Sequence, residues 1–186
     1  MVNNTKIEIQ TERTTLRLIE LADVDVIHIL HSLPETDEFN ALGIPESLEV
    51  TMQVIVPWVK ENKLDHINNY TFAIELKEDK TFIGLLGFKI GNKKYRRGEV
   101  WFKLNSEHWN KGYGTECLKA IINYGFDTLN LHRIEAGCAV NNTGSTKVLE
   151  KAGMIREGRG RQVLPLKSGW SDNFEYSILE SDTRNR

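Results

Sequence analysis

Apolar positions along the chain follow two periods, and the switches between them divide it into elements. Strand-like runs fall at residues 15–20, 70–76, 82–90, 99–104, 133–140, 154–163 and 174–179. Helical spacing covers residues 23–33, with apolar side chains at 26, 27, 29, 30 and 33 and a stop before Pro34. A polar loop over residues 35–45 follows. Ser47 caps a second helix carrying Val50, Val54, Ile55 and Trp58 on one face, with Pro57 placed to kink or divide it. A third helix carries Leu118, Ile121, Ile122, Gly125, Phe126 and Leu129. Asn142-Thr143-Gly144-Ser145 opens a short fourth one, with Val148 and Leu149, closed by Gly153. The turns Glu78-Asp79-Lys80 and Gly91-Asn92-Lys93-Lys94 are too short for anything but antiparallel neighbours, so residues 70–104 read as a meander. A final hairpin is expected around a loop at residues 165–172. The order β-α-α-β-β-β-α-β-α-β-β predicts an α/β fold of the α+β type. Its mixed, largely antiparallel sheet has about seven strands, with about four helices. No linker or repeat divides residues 1–186, so a single domain is expected, with residues 180–186 as a frayed tail.

Composition narrows the class. Of 186 residues 40% are hydrophobic and 27% charged, ordinary for a globular domain, and the formal net charge is −2. There is no apolar run near the length of a membrane span, and the first ten residues lack the apolar core of a secretory signal. Cys117 and Cys138 form neither a metal-ligand spacing nor a disulfide framework, so the expected location is a reducing cytoplasm. No metal site is predicted: His28 and His31 share a helix face without a third ligand and read as helix-surface residues. Without an aromatic–basic module, nucleic acid is not an expected partner.

The chemistry concentrates in Trp109-Asn110-Lys111-Gly112-Tyr113-Gly114-Thr115-Glu116, between the strand at 99–104 and the third helix. Two glycines before a helix start gather bare backbone N–H groups at its positive end, a cradle for an anion, usually a phosphate. A Walker A loop is excluded, because Lys111 precedes the glycines. A dinucleotide fingerprint is incomplete, with Cys117 at its third glycine position and Glu135 in mid-strand instead of at a strand end. A tight turn that merely starts a structural helix remains open at this level.

Longer blocks then resemble a family. Glu107-His108-Trp109-Asn110-Lys111-Gly112-Tyr113-Gly114-Thr115-Glu116, Asn130-Leu131-His132-Arg133-Ile134-Glu135-Ala136, the stretch from Asn141 to Met154 and Trp170-Ser171-Asp172-Asn173-Phe174-Glu175-Tyr176 are similar in order and spacing to the GNAT superfamily. These are acetyl-CoA-dependent N-acetyltransferases, and the RimJ/RimL group is the subgroup suggested. Trp109 stands where the family's phosphate pattern usually has Gln or Arg, and the departure points to subgroup. The resemblance implies that acetyl-CoA is held by Trp109, Asn110, Lys111, Gly112, Tyr113, Gly114 and Thr115 at its pyrophosphate. The backbone edge of Phe102, Lys103 and Leu104, with Asn142 and Ser145, would hold the pantetheine arm. It further implies Ser145 as proton donor to the leaving thiolate and Glu99 as general base. Against these roles stand a Ser145 that only bonds its own backbone in the first helical turn and a Glu99 paired with Arg97 or Lys103. Tyr176 offers a hydroxyl but reads as a core residue, and Cys117 and Cys138 as small buried ones.

Charge adds one expectation. Between Arg17 and Lys60 there is no lysine or arginine, while Glu20, Asp23, Asp25, Glu35, Asp37, Glu38, Glu46 and Glu49 all fall there. The resemblance puts this region beside the acceptor cleft, where an acidic rim would draw a cationic small amine or a ribosomal or other protein N-terminus. Basic residues gather instead at 89–97 and 156–161. Two rivals remain at this level: a CoA-binding protein of the same fold without transferase activity, and a nicotinamide-dinucleotide oxidoreductase. Trp101 keeps the first open, because a bulky ring there would narrow the acceptor path. Oligomeric state is not fixed by the sequence, and a homodimer is admitted.

Overall fold

A computed structural model describes residues 7–184. β1 (Glu8–Gln10) and β2 (Thr14–Leu18) lead into a 3-10 turn, α1 (Val24–Ser32), α2 (Pro34–Asp37) and α3 (Leu48–Glu61). The meander β3 (Asn69–Leu76), β4 (Phe82–Ile90) and β5 (Arg97–Leu104) follows, then α4 (Tyr113–Asp127), β6 (Arg133–Ala139), α5 (Thr143–Lys151), β7 (Ile155–Leu166) and β8 (Gly169–Leu179). All strands join one sheet in the order β1-β2-β3-β4-β5-β6-β8-β7, antiparallel except for the β5–β6 pair. That pair is joined by a crossover through α4, as a parallel connection requires.

Alternation on β3, β4 and β5 assigns each sheet face its helices. On one face Leu118, Ile121, Ile122 and Phe126 of α4 pack with Phe88, Val100, Ile134 and Tyr176. On the other, Ile27 and Leu30 of α1 and Ile55 and Val59 of α3 close on Ala73 and Leu85. Gly125 shows how tight the first contact is: a Cβ there would lie 2.7 Å from Ile134 and 2.8 Å from Phe88. Helix α3 starts where Ser47 accepts the Val50 N–H at 3.4 Å and runs unbroken through Pro57.

The fold class stands as expected, with additions. The sheet has eight strands and the described residues five helices. The extra strand β1 has three residues, too few for a periodic signal, and α2 is a single turn inside the expected polar loop. The last hairpin is longer than its sequence pattern. Residues 165–166 and 169–172, read as loop, extend its strands to a turn of Lys167 and Ser168, with Gly169 at φ +113°. Much of β7 is exposed on both faces, so no alternation marks it. Asp172 ties it instead, accepting from the Gln162 N–H at 2.8 Å and Arg159 Nε at 2.7 Å. Nor is the tail frayed over its described part. The Glu180 N–H bonds the His132 carbonyl at 3.0 Å, and Arg184 reaches Asn123 at 3.1 Å and lies over the Phe126 ring.

Candidate active site

The feature that organises the site is a wedge in the sheet. Strands β5 and β6 pair only through Arg97–Glu99 and Arg133–Glu135, then diverge. The Arg97 carbonyl accepts from Gly91 and the Asn105 N–H donates to Ile83, both on the β4 side. With a period of two, odd-numbered residues of β5 turn their backbone groups toward β4. Val100, Phe102 and Leu104 therefore turn theirs into the wedge, and Lys103 does not. The Leu104 carbonyl is taken by the Trp109 indole, whose Nε1 donates to it at 2.8 Å. The peptide edge at Phe102 lies beyond the last β5–β6 pair, Glu99 with Glu135.

The loop over residues 105–112 carries the chain from the wedge to α4. Asn110 and Gly112 both have positive φ, +58° and +86°. Gly112 is the N-cap of α4, and no side chain caps that end. The first-turn N–H groups of Tyr113, Gly114 and Thr115 thus stay open at the positive end of a 15-residue helix. Gly114 brings the helix against β5 and α5, since a Cβ would lie 3.3 Å from Leu104 and 3.4 Å from Val148. Lys111 is exposed beside this end. Together these groups make an anion cradle that opens next to the wedge.

Arg13 was not singled out by the sequence. Its Nε donates to Glu116 at 2.7 Å, its Nη1 to the Lys111 carbonyl at 3.0 Å, and its guanidinium lies 4.5 Å from the Tyr113 ring centre. It fixes the cradle from outside the loop's own segment and adds a positive charge to it. The contact spans 103 residues, and the sequence offers only complementary charge on Glu116 as a signal.

Across the wedge, Asn142 caps α5, its Oδ1 accepting the Ser145 N–H at 3.0 Å. Ser145 stands in the first turn of α5, part-buried. The Tyr176 ring is buried and its hydroxyl lies 3.2 Å from Glu150 Oε1. Burial pushes the Cys117 thiol up to about 11 and raises that of Cys138, so neither is a ready nucleophile.

On the α1/α3 face, Glu99 and Trp101 line an open cavity of about 340 Å³ with Trp58, Glu61, Tyr70 and Lys89. Glu99 is exposed, and neither Arg97 nor Lys103 pairs with it: Arg97 reaches Glu135 at 3.8 Å. Trp101 packs on Trp58 with ring centres 5.6 Å apart and folds back over Gly87 on β4. The ring thereby lies over the sheet and forms part of the cavity lining.

The acidic stretch is less uniform than its sequence. Asp23 is buried, accepting from both terminal nitrogens of Arg17 at 2.7 and 2.8 Å and from the Glu20 N–H, so it serves structure and not a rim. Asp37 is also buried, whereas Glu20, Asp25, Glu35, Glu38, Glu46 and Glu49 are exposed. The surface assignment of the histidines needs correction too. His28 bonds Thr51 at 2.7 Å, and His31 is 5% exposed. Burial, with Lys103 and His28 nearby, lowers its pKa from 6.5 to about 4. The unfolded chain takes up this proton below pH 6.5 while the native protein does so only near pH 4, so stability is lost as pH falls through that window. Denaturation free energies measured from pH 6.5 to 4 are expected to show this as a slope component of about 1.4 kcal/mol per pH unit. A His31→Leu variant, lacking the group, is expected to lose that component.

A model of the acetyltransferase (GNAT) domain matches residues 13–155. The chain belongs to the GNAT acetyltransferase family. It is 33% identical over 173 residues to an uncharacterized N-acetyltransferase p20 of Bacillus licheniformis, covering 92% of this chain and 96% of that protein. A GNAT acetyltransferase structure from Bacillus anthracis superposes with TM-score 0.82 at 29% identity, over 95% and 100% of the two chains. The spermidine N-acetyltransferase of Vibrio cholerae, solved with CoA and spermine, gives TM-score 0.79 at 25% identity, over 90% and 96%. For this GNAT member, an acyltransferase by family, Glu135 is no ribose-binding acid: it sits within β6 and accepts from Arg133 at 2.7 Å.

Proposed function

We propose that the protein transfers acetyl from acetyl-CoA directly to a primary amine, with the wedge beside the open α4 terminus as the observation that carries the reading. Bound acetyl-CoA would supply a thioester carbonyl for the amine to attack and a thiolate that leaves with a proton. The first-turn amides of α4, with Lys111 and Arg13, hold the pyrophosphate, and the Phe102 edge holds the pantetheine arm. The Phe102 N–H supports the oxyanion of the tetrahedral adduct. Glu99, on the cavity side of β5, takes the amine's proton directly or through one water, and Ser145 returns a proton to the thiolate. Asn142 fixes Ser145 through the helix cap. A solved RimJ of Mycobacterium smegmatis shares the fold at TM-score 0.85 and 20% identity, which bears on architecture alone; the RimJ/RimL subgroup itself rests on the motif blocks.

Thermal shifts with CoA and with NADP, followed by thiol release across a panel of amines, test the reading. Stabilisation by CoA alone and amine-dependent thiol release are expected. Stabilisation by NADP alone, or no thiol release with any amine, would overturn it. Ser145→Ala is expected to lower kcat by roughly 10²-fold, with the loss concentrated on the alkaline side of the pH–rate profile. An unaltered kcat across the profile would remove Ser145 as the donor.

A further inference from the structure

The cavity of about 340 Å³ that Glu99 lines joins two aromatic rings to a short row of charges. Trp58 of α3 and Trp101 of β5 hold their rings 49° apart with centres separated by 5.6 Å, and Trp101 is 38% exposed. Aromatic surface left open at a cavity wall favours an apolar, planar occupant. The charges follow one another across the sheet. Glu61 of α3 accepts from the Asn68 N–H at 3.2 Å and from Asn69 Nδ2 at 3.5 Å. Asn69 is the register partner of Lys89, and Lys89 is that of Glu99. Lys89 therefore stands between the two carboxylates, and all three line the cavity. Two acids and one base leave a single negative charge on that lining.

One cation balances that lining. A diamine brings a second, and a far end directed from Glu99 toward Glu61 meets the Lys89 ammonium. The two indoles accept an aryl ring by tilted or offset stacking, and their faces attract an ammonium on its way to Glu99. Trp101 also immediately precedes Phe102, so an occupant resting on its ring lies beside the edge that the transferase reading gives to the pantetheine arm. We propose that Trp58, Trp101 and Lys89 make this cavity the subsite for an acetyl acceptor that is a singly charged primary amine with an aromatic body on a short alkyl arm. The inference rests on the transferase reading and names its substrate class. The rings hold the body, Glu99 meets the nitrogen, and Lys89 rejects a second cation. The chemistry is that of the transferase: the nitrogen gains the acetyl group and gives its proton to Glu99, and the thiolate takes a proton as CoA leaves.

The decisive comparison sets phenethylamine against butylamine and cadaverine on the intact protein with saturating acetyl-CoA. Phenethylamine is expected to show kcat/KM roughly tenfold above either of the others. Trp58→Leu removes one ring and is expected to raise KM for phenethylamine, drawing its ratio to butylamine toward one. Lys89→Met, an exposed position, is expected to raise kcat/KM for cadaverine relative to butylamine by roughly fivefold. Equal or reversed preference in the native protein, or a cadaverine-to-butylamine ratio untouched by Lys89→Met, overturns the subsite while leaving the transferase intact. Should no amine release thiol, the transferase reading falls, and thermal shift of the CoA-saturated protein still decides the subsite. Stabilisation by phenethylamine beyond butylamine and cadaverine supports it, and equal shifts overturn it.

Discussion

Phe102→Pro is expected to lower kcat by roughly 10²–10³-fold, about 3–4 kcal/mol of transition-state stabilisation, the size of loss seen when a single oxyanion donor is removed. Proline removes the backbone N–H and leaves the carbonyl. Because even-numbered residues of β5 face the wedge, that N–H makes no bond to β4, whose pairing through Gly84–Ile90 is retained. The ring is a separate matter, since Phe102 is half-buried against the α4 face of the core. Phe102→Ala therefore serves as the control: it loses the ring and keeps the donor. Thiol-release kinetics with any accepted amine, together with CoA affinity, separate the two contributions. The proline variant should fall well below the alanine variant in kcat. Equal rates would mean that the Phe102 N–H takes no part in the acyl step.

The regular elements and the anion cradle were legible in the sequence because their determinants are local. Phe82 to Ile90 was bounded at both ends by turn residues, and the structure places β4 over those same residues. Gly112 and Gly114 announced a bare helix start; the start of the short helix at residues 142–145 was legible, and the structure makes Asn142 its cap. Elements without a local signature were missed. β1 is a three-residue edge strand, and the outer half of the β7–β8 hairpin is held by backbone pairing and Asp172 instead of by an apolar face. The acidic run showed the same limit. Asp23 and Glu35 look alike in sequence, and only the fold reveals that Arg17 lies beneath the first. Arg13, which reaches the α4 terminus from the β1–β2 connection, depends on a contact between distant segments that no single-sequence pattern encodes.

Those distant contacts also explain how the two halves of the site stay in register. The Trp109 indole ties the loop to the last carbonyl of β5, and Arg13 ties that loop to the β1–β2 connection. Glu116 sits at the centre of the second tie, accepting from Thr11, the Arg13 N–H and the Arg13 guanidinium, and these partners hold its carboxyl below the usual range despite burial. An acid in the first turn of α4 would otherwise compete with a bound phosphate for the helix end. Arg13 and Thr11 hold that carboxylate instead, and the guanidinium offsets its charge. The wedge and the cradle are thus joined through side chains, while the sheet carries only the strands.

A second large effect is expected at Gly87, where strand and aromatic ring share one volume. Gly87 pairs directly with Trp101, and a Cβ at this position would lie 2.0 Å from the indole Nε1 and 2.1 Å from Cε2. No side chain fits without moving the ring. Gly87→Val should therefore cost about 3 kcal/mol of stability, the upper range for overpacking, and drive Trp101 off the sheet into the cavity beside Glu99. Two measurements follow from the same displacement: a lower urea midpoint, and a raised KM for the amine with CoA affinity little changed, because the cradle lies on other elements. Trp101→Ala in the Gly87→Val background frees the volume and should restore most of both. The double-mutant cycle then gives a coupling of about 2 kcal/mol between the two positions. If the variants prove additive, the ring does not rest on Gly87 in solution, and Trp101 instead stands in the acceptor path.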